Sequence, residues 1–249
     1  MNILVCISSV PDTTSQINFK DENQTLDSSG ITFIINPYDE FCLTKAIFIK
    51  EKTGATITVL NVGEANNDAI LRKALAIGAD KAVRIDQSEL SGAIVSQCIA
   101  NYCQTNSFDL IFCGRESIDY NGGKVPGFLA SQLNIPFING CTGLEVENNT
   151  IKIKREIDSG YEICESSIPA VIAGQKGLVE EKDLKIPSMR GIMTARTKPL
   201  EIIDGNINLD NKVKVINYST PEARSECQFI DKDNVDVLVQ LLSNEAKVI

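Results

Sequence analysis

Short apolar runs alternate with helical stripes along the first two-thirds of the chain. The runs are Ile3–Ile7, Thr56–Val62, Ala82–Ile85, Leu110–Cys113 and Ala170–Ala173. Most are continuous rather than alternating, the pattern of parallel strands covered on both faces. Between them, Tyr38, Phe41, Cys42, Ala46 and Ile49 fall on one helical stripe. Ile70, Leu71, Ala74 and Leu75 form a second, which stops at Gly78, a suitable C′ glycine. Ile94, Cys98, Ile99 and Tyr102 form a third. Val125, Phe128, Leu129 and Leu133 form a fourth, with Pro126 suited to its first turn. The series predicts βαβ units and an α/β fold: a doubly wound, mainly parallel, Rossmann-like sheet with right-handed crossovers.

Two segments interrupt this rhythm. Ile17 to Ile35 is polar, turn-rich and bracketed by β-prone residues, which predicts a β-hairpin excursion. Ile151-Lys152-Ile153-Lys154-Arg155 alternates, turns at Asp158-Ser159-Gly160 and returns through Tyr161 to Ile168, a second hairpin. After Gly174 the pattern changes. Gln175 to about Asn217 reads as charged loops and short extended pieces, followed by an amphipathic helix near Asp233 to Asn244. That helix carries Val235, Leu238, Leu241 and Leu242 on one face. The chain thus divides into an α/β domain, residues 1–174, and an extended C-terminal arm, residues 175–249. The arm cannot bury its own apolar face, so it either reaches to a partner subunit or folds back on the sheet.

Composition narrows the chemistry. In 249 residues, 43% are hydrophobic, enough for a large core. Lys and Arg number 24 against 33 Asp and Glu, a formal charge of −9 that repels phosphate backbones and argues against nucleic acid. There is no His at all. That excludes Ser-His-Asp triads, Cys-His pairs, HExxH zinc sites and any imidazole general base. Met1 to Ile7 has no basic n-region and reads as a buried strand rather than a signal peptide. The longest uncharged stretch, Val125 to Leu144, holds Pro126, Pro136, Gly127, Gly140 and Gly143, so it predicts no spanning helix. The eight cysteines form no CxxC and read as small buried hydrophobes of a reducing cytosol. The expected location is cytoplasmic.

Ligands of open α/β sheets sit beyond the carboxyl ends of the strands. Three segments fall there: Ser8 to Asp12, Gly63 to Asp68, and Gly114 to Val125. Gly122-Gly123 before a helix start exposes backbone N–H groups to an anion, and Lys124 adds charge, so a nucleotide phosphate is a natural guest. A plain strand–helix turn explains the same residues equally well on pattern alone. Asn36-Pro37-Tyr38-Asp39-Glu40 also reads simply as a helix start.

In order and spacing, several segments together resemble the electron transfer flavoprotein beta/FixA family, over nearly the whole chain. They are Val10-Pro11-Asp12-Thr13, Asn36-Pro37-Tyr38-Asp39-Glu40, Leu71 to Asp80, Gly114-Arg115-Glu116-Ser117-Ile118-Asp119, Lys154 to Gly160 and Ile186-Pro187-Ser188-Met189-Arg190-Gly191-Ile192-Met193. The resemblance implies an electron-carrier subunit, not an enzyme in itself, paired with a larger alpha subunit that holds most of an FAD. It implies an adenine-nucleotide-binding fold with AMP in the beta subunit, or a second FAD in bifurcating members. By similarity the nucleotide is held by Cys6, Asn36, Pro37, Tyr38, Asp39, Val62, Gly63, Gly114, Arg115, Glu116, Ser117, Ile118, Asp119, Asn121, Gly122, Gly123, Lys124 and Val125. Arg155 and Glu156 lie by the same similarity near the subunit interface and the alpha-bound flavin. Met189 corresponds to the apolar anchor of an exposed loop that docks on dehydrogenases, flanked by Arg190, Arg196 and Lys198. The acceptor implied is a quinone oxidoreductase of the respiratory membrane, with fatty acid oxidation the expected setting.

The chain departs from that pattern in places. The usual Gln-x-Gly ending of the loop after Asp119 is Lys124-Val125-Pro126 here, and the hairpin's double glycine is Ser159-Gly160. Val179-Glu180-Glu181-Lys182-Asp183 makes the stretch before Met189 more acidic. Two other readings remain beside the carrier. One is a bifurcating subunit oxidising NADH through a second FAD; the other is a non-redox adenine-nucleotide-binding regulator. A hydrolase or ligase of the related ATP-using fold lacks support, because the chain has no Ser-Gly-Gly-x-Asp-Ser loop.

Overall fold

Successive residues of the first strand, β1 (Asn2–Cys6), feed two different cores: Ile3 and Val5 face one, Leu4 and Cys6 the other. This is the signature of a strand buried on both sides, and it explains why the run shows no alternation. The computed structural model describes residues 1–22, 24–88, 90–205, 207, 215–222 and 226–249. They fall into two compact units, Met1–Asn18 with Asp27–Lys214, and Phe19–Leu26 with Val215–Ile249.

The larger unit is built on a nine-stranded sheet. Its order is β11 (Gly160–Ser167), β10 (Thr150–Ile157), β9 (Phe137–Glu147), β12 (Ala170–Gly174), β8 (Leu110–Gly114), β1, β6 (Thr56–Val62), β7 (Lys81–Asp86) and β13 (Leu200–Asp204). β1 runs parallel to β6, with Leu4 opposite Thr58, and to β8, with Leu4 opposite Ile111. From β9 to β13 every pairing is parallel; only β10 runs against its neighbours. Helices α1 (Pro37–Thr53) and α2 (Asp68–Ile77) cover the Ile3 face, and α3 (Gly92–Thr105) and α4 (Val125–Leu133) the Leu4 face. The chain steps from β1 to β6 and β7, then returns past β1 to β8. Right-handed crossovers taken in opposite directions put their helices on opposite faces, so the strand order reverses between β1 and β8.

The predicted excursion is present as ribbon. β2 (Ser9–Pro11) pairs antiparallel with β5 (Phe33–Ile35), Val10 opposite Ile34. β3 (Asn18–Lys20) and β4 (Thr25–Asp27) form a separate two-stranded sheet. In the smaller unit the ring of Phe19 stacks on Tyr218, centroids 4.8 Å apart. The expected C-terminal helix is α6 (Val235–Gln240), continued by a π turn over Leu241–Glu245, and Val235, Val237, Leu238 and Val239 on it are exposed; α5 (Met189–Ala195) precedes it in the larger unit.

Two strands lie outside the apolar runs and hairpins read from the pattern. β9 contains Asn139-Gly140, which looks like a hairpin turn. Instead Gly140 sits at φ +66° where the pairing with β12 slips by one residue, so the pair marks a bulge within a strand. β13 is one of the short extended pieces expected among the charged loops, and it pairs parallel with β7, Ile202 opposite Arg84. An edge strand is covered on fewer sides, and Ile202 is 56% exposed, so its apolar signal is diluted. Asn206 and residues 208–214 of that stretch lie outside the described residues. Among the described residues, no helix is long and apolar enough to cross a membrane.

At the end of β8, Gly114 leaves no room for a side chain. A Cβ there would collide with Asp39 Oδ1 and sit 2.9 Å from Asn36 Nδ2 and 2.8 Å from Tyr38 Cβ, all at the start of α1. A Cβ on Gly122, in contrast, would meet nothing within 4 Å. Gly114→Ala is therefore expected to cost about 1–3 kcal/mol of stability in chemical denaturation. Gly122→Ala should change it by less than about 0.5 kcal/mol.

Candidate functional site

Asp39 ties together the point where the strand order reverses. Its side chain is 2% exposed and reaches across the sheet. Oδ2 accepts the Ser8 N–H, just past β1, and Oδ1 accepts the Gly114 N–H at the end of β8, each at 2.7 Å. Asn36, 1% exposed, does not cap its own helix. Its Nδ2 donates to the Glu116 carbonyl at 2.9 Å and its Oδ1 accepts from the Ile118 N–H at 3.3 Å. Both residues stand at the helix start as read, Asn36 at the N-cap position and Asp39 in the first turn, and their side chains in addition clamp the loop that follows β8. Next to Ser8 in the chain, Ser9 Oγ is buried and has no hydrogen-bond partner, an open polar position at the end of β1.

The Val62-Gly63 turn is held by Asn67 and Asp68 of the candidate segment and by Asn61 and Arg84, which the sequence did not single out as site residues. Asn61 Nδ2 donates to the Ile7 carbonyl at 2.9 Å, and Asn67 Nδ2 donates to Asn61 Oδ1 at 3.0 Å. Arg84, 4% exposed, donates to the Gly63 carbonyl at 3.0 Å, to Asp68 at 2.7 Å and to Asp86 at 2.6 Å. A Cβ on Gly63 would collide with the Asn67 amide, so a side chain there would displace Asn67 from Asn61. The one legible sign was a cation inside an apolar run, Ala82-Val83-Arg84-Ile85. A buried guanidinium needs partners of this kind.

Cys6 closes the floor of the same region. It hydrogen-bonds the thiol of Cys113, and that bond together with burial pushes its pKa well above the ordinary thiol range. It is a neutral surface, not a nucleophile. Above it, the loop from Gly114 to Val125 is fixed at one end by the Arg115 N–H on the Gly174 carbonyl, 2.8 Å, and folded by the Asn121 N–H on the Ser117 carbonyl, 2.8 Å. Asn121 and Gly123 are left-handed, at φ +48° and +57°. Asn121, Gly122, Gly123 and Lys124 are exposed, and no side chain caps the start of α4. Uncapped N–H groups beside a lysine suit an anion. The carboxyl ends of β1, β6 and β8 thus bring together Cys6, Asn36 to Asp39, Val62, Gly63 and the Gly114 to Val125 loop. The exposed N–H groups beside Lys124 fit an anionic group.

The hairpin residues lie at a neighbouring cavity of about 500 Å³, lined among others by Tyr38, Arg115, Lys154, Glu156 and Tyr161. Gln175, missed in the sequence, joins the two regions: its Nε2 donates to Glu156, and its Oε1 accepts from Arg115 at 3.1 Å. Its only signal was its place directly after the last apolar run. Arg155 points to the opposite face from Glu156, by strand alternation, and pairs with Glu162 at 3.5 Å. Met189 is 79% exposed, but it opens helix α5 rather than sitting on a loop, with Ser188 Oγ accepting the Gly191 N–H. Arg190 and Arg196 flank it on the surface. Lys198 does not: its ammonium turns inward onto the carbonyls of Leu75 and Ala79.

Burial pushes the Asp39 carboxyl from its ordinary 3.8 up to about 7, against the pull of the Ser8 and Gly114 N–H donors. A carboxyl with a raised folded-state pKa binds its proton more tightly folded than unfolded. Its contribution to stability is full below about pH 4 and is lost as pH rises towards 7. Asp39→Asn places an amide N–H against an N–H donor and removes this titration. The wild-type advantage over Asp39→Asn in denaturation should therefore be larger at pH 4.5 than at pH 7.5. A difference independent of pH would mean that Asp39 titrates in the ordinary carboxylate range.

Comparison with known proteins agrees with this architecture. The family model of the electron transfer flavoprotein domain matches residues 24–206. The electron transfer flavoprotein subunit beta of Bacillus subtilis is 36% identical over 262 residues, covering 100% of both chains. That of Thermoanaerobacterium thermosaccharolyticum is 32% identical, covering 98% of each. The acryloyl-CoA reductase electron transfer subunit gamma of Anaerotignum propionicum is 31% identical, covering 82% of this chain and 78% of its own. With a full-length match at this identity, a family model over most of the sheet and the expected α/β layers in place, the chain belongs to the electron transfer flavoprotein family.

Proposed function

We propose that the chain is the beta subunit of a heterodimeric electron transfer flavoprotein. It accepts electrons from flavin dehydrogenases, such as acyl-CoA dehydrogenases, and delivers them to a quinone oxidoreductase. The observation that carries the nucleotide part is the clamp of Asn36 and Asp39 over the ends of β1 and β8, beside the uncapped start of α4. AMP is the proposed guest. Its adenosine would lie by Cys6, Asn36 to Asp39, Val62 and Gly63, and its phosphate by Gly122, Gly123, Lys124 and the first N–H groups of α4. FAD, held mostly by an alpha subunit, supplies the redox chemistry when bound. This chain's residues hold the nucleotide, help enclose the flavin through Arg155 and Glu156, and present Met189 and Arg190 to the donor. None of these tasks needs a proton shuttle, which accounts for a chain without His.

The division into residues 1–174 and 175–249 follows the same reading. The first part binds the nucleotide, while the second carries the docking helix and ends in α6, whose exposed Val235, Leu238 and Val239 suit an alpha-subunit surface. A second reading is favoured by the cavity of about 500 Å³ between Tyr38, Arg115 and Tyr161, next to the nucleotide loop. It has room for the ring system of a second FAD, as a bifurcating subunit would require.

Co-expression with the alpha subunit, followed by nucleotide release and a visible spectrum, distinguishes the two. One FAD and one AMP per heterodimer are expected; two FAD and no AMP would establish the bifurcating form. Met189→Ala should slow reduction by an acyl-CoA dehydrogenase by about tenfold or more, the scale of an interface hot spot, with flavin content unchanged. Undiminished transfer in that variant would remove Met189 from the docking face.

A further inference from the structure

Two segments that are far apart in the chain fasten each other by their helix ends. Arg72, on α2, extends Nη1 to the carbonyls of Ala195 and Lys198, at 2.7 and 2.8 Å, where α5 finishes. Lys198, three residues beyond α5, sends its ammonium back to the carbonyls of Leu75 and Ala79, at 3.0 and 2.6 Å, where α2 finishes. Each cation takes one carbonyl in the last turn of the other helix, Ala195 or Leu75, and one just beyond it, Lys198 or Ala79, and so sits at the negative end of a helix dipole. Burial lowers the Lys198 pKa, as expected for an ammonium turned away from solvent. Between the two caps, Gly191 rests on the Ala76 carbonyl so closely that a Cβ would collide with it.

The outer side of α5 is apolar and bare. Ile186, Met189 and Met193 are 79%, 79% and 71% exposed, and Ile192 is 44% exposed. Seven residues make fewer than two turns of helix, too short to hold this shape alone in water. Something else must hold it in place. We infer that Arg72 and Lys198 are positioning residues for the docking face: a reciprocal strap that presents Met189, Ile192 and Met193 as one preformed surface. The inference rests on the docking reading of Met189 given above. Preorganisation of this kind removes the ordering cost that a free loop would meet on binding, so it acts on affinity for the donor rather than on the transfer step.

The test uses the co-expressed heterodimer carrying Arg72→Met, Arg72→Lys, Lys198→Met or Met189→Ala. Hydrogen exchange of the amides from Ile192 to Lys198 should quicken by about tenfold in Arg72→Met and Lys198→Met, matching the loss of charge-assisted bonds. Arg72→Lys, which keeps one donor group, should fall between. Met189→Ala should leave exchange unaltered. With an acyl-CoA dehydrogenase as donor, Arg72→Met should raise the KM for the heterodimer several-fold at unchanged kcat and flavin content. Unaltered exchange in both Met variants overturns the strap. Faster exchange with unaltered KM overturns its role in docking. Should Arg72→Met not fold, the Arg72→Lys and Lys198→Met variants give the same two readings. The docking reading itself fails separately, through undiminished transfer in Met189→Ala.

Discussion

The interaction on which the rest of the site depends is the pair of hydrogen bonds made by one buried carboxylate, Asp39, to Ser8 and Gly114. In a doubly wound sheet the loops after the two central strands diverge, because one leads to each face, and the crevice between them is where ligands enter. Left alone, two such loops would carry unpaired N–H groups into a partly buried space. Asp39 satisfies one from each side and so sets the width of the crevice. Gly114 lets the carboxylate approach, and Asn36 extends the same restraint to Glu116 and Ile118. The cost of this arrangement is visible in the raised Asp39 pKa. A carboxylate is kept in a place that disfavours its charge because the geometry it enforces is needed there.

The turn after β6 and the loop after β8 are each braced by a buried polar side chain. Arg84 holds the turn after β6 to the start of α2 and the end of β7, and Gln175 links the loop after β8 to the hairpin. Apolar contacts would fill these places without specifying a backbone position, since they have no direction. Hydrogen bonds to a single carbonyl or N–H do specify one. The eight thiols contribute little to this scheme. All are unpaired by disulfides, and Cys6, Cys42, Cys98, Cys113 and Cys141 are buried within the two cores.

How much of this was legible follows from what each residue does. The interior strands β1, β6, β8 and β12 were readable because helices cover both faces and leave unbroken apolar runs. β13 was readable only as a short extended piece, because an edge strand shows only part of that pattern, and β9 was hidden by Asn139-Gly140, whose turn-like sequence serves a bulge. The glycine-rich loop before α4 announced itself through local chemistry. The role of Asp39 could not be read, since its partners lie 31 and 75 residues away and nothing beside it in sequence indicates them. Lys198 misled for a related reason. A lysine in a basic run looks solvated, yet its stem is long enough to turn the charge inward onto carbonyls.

The helix α2 gives these separate devices a common frame. Its first residue, Asp68, is held by Arg84, the same guanidinium that fixes the Gly63 carbonyl at the proposed nucleotide turn. Its last turn carries the Leu75 carbonyl that receives Lys198 and the Ala76 carbonyl on which Gly191 rests. Ten residues of helix span about 15 Å, and Ile70, Leu71, Ala74 and Leu75 lock this one into the core along its length. A helix packed at crystal-like density cannot shift at one end and stay in place at the other. The proposed nucleotide turn and the proposed docking face are therefore referenced to one rigid body. A nucleotide bound as proposed would then have a physical purpose: by filling the crevice it would keep fixed the frame from which the proposed docking helix is presented.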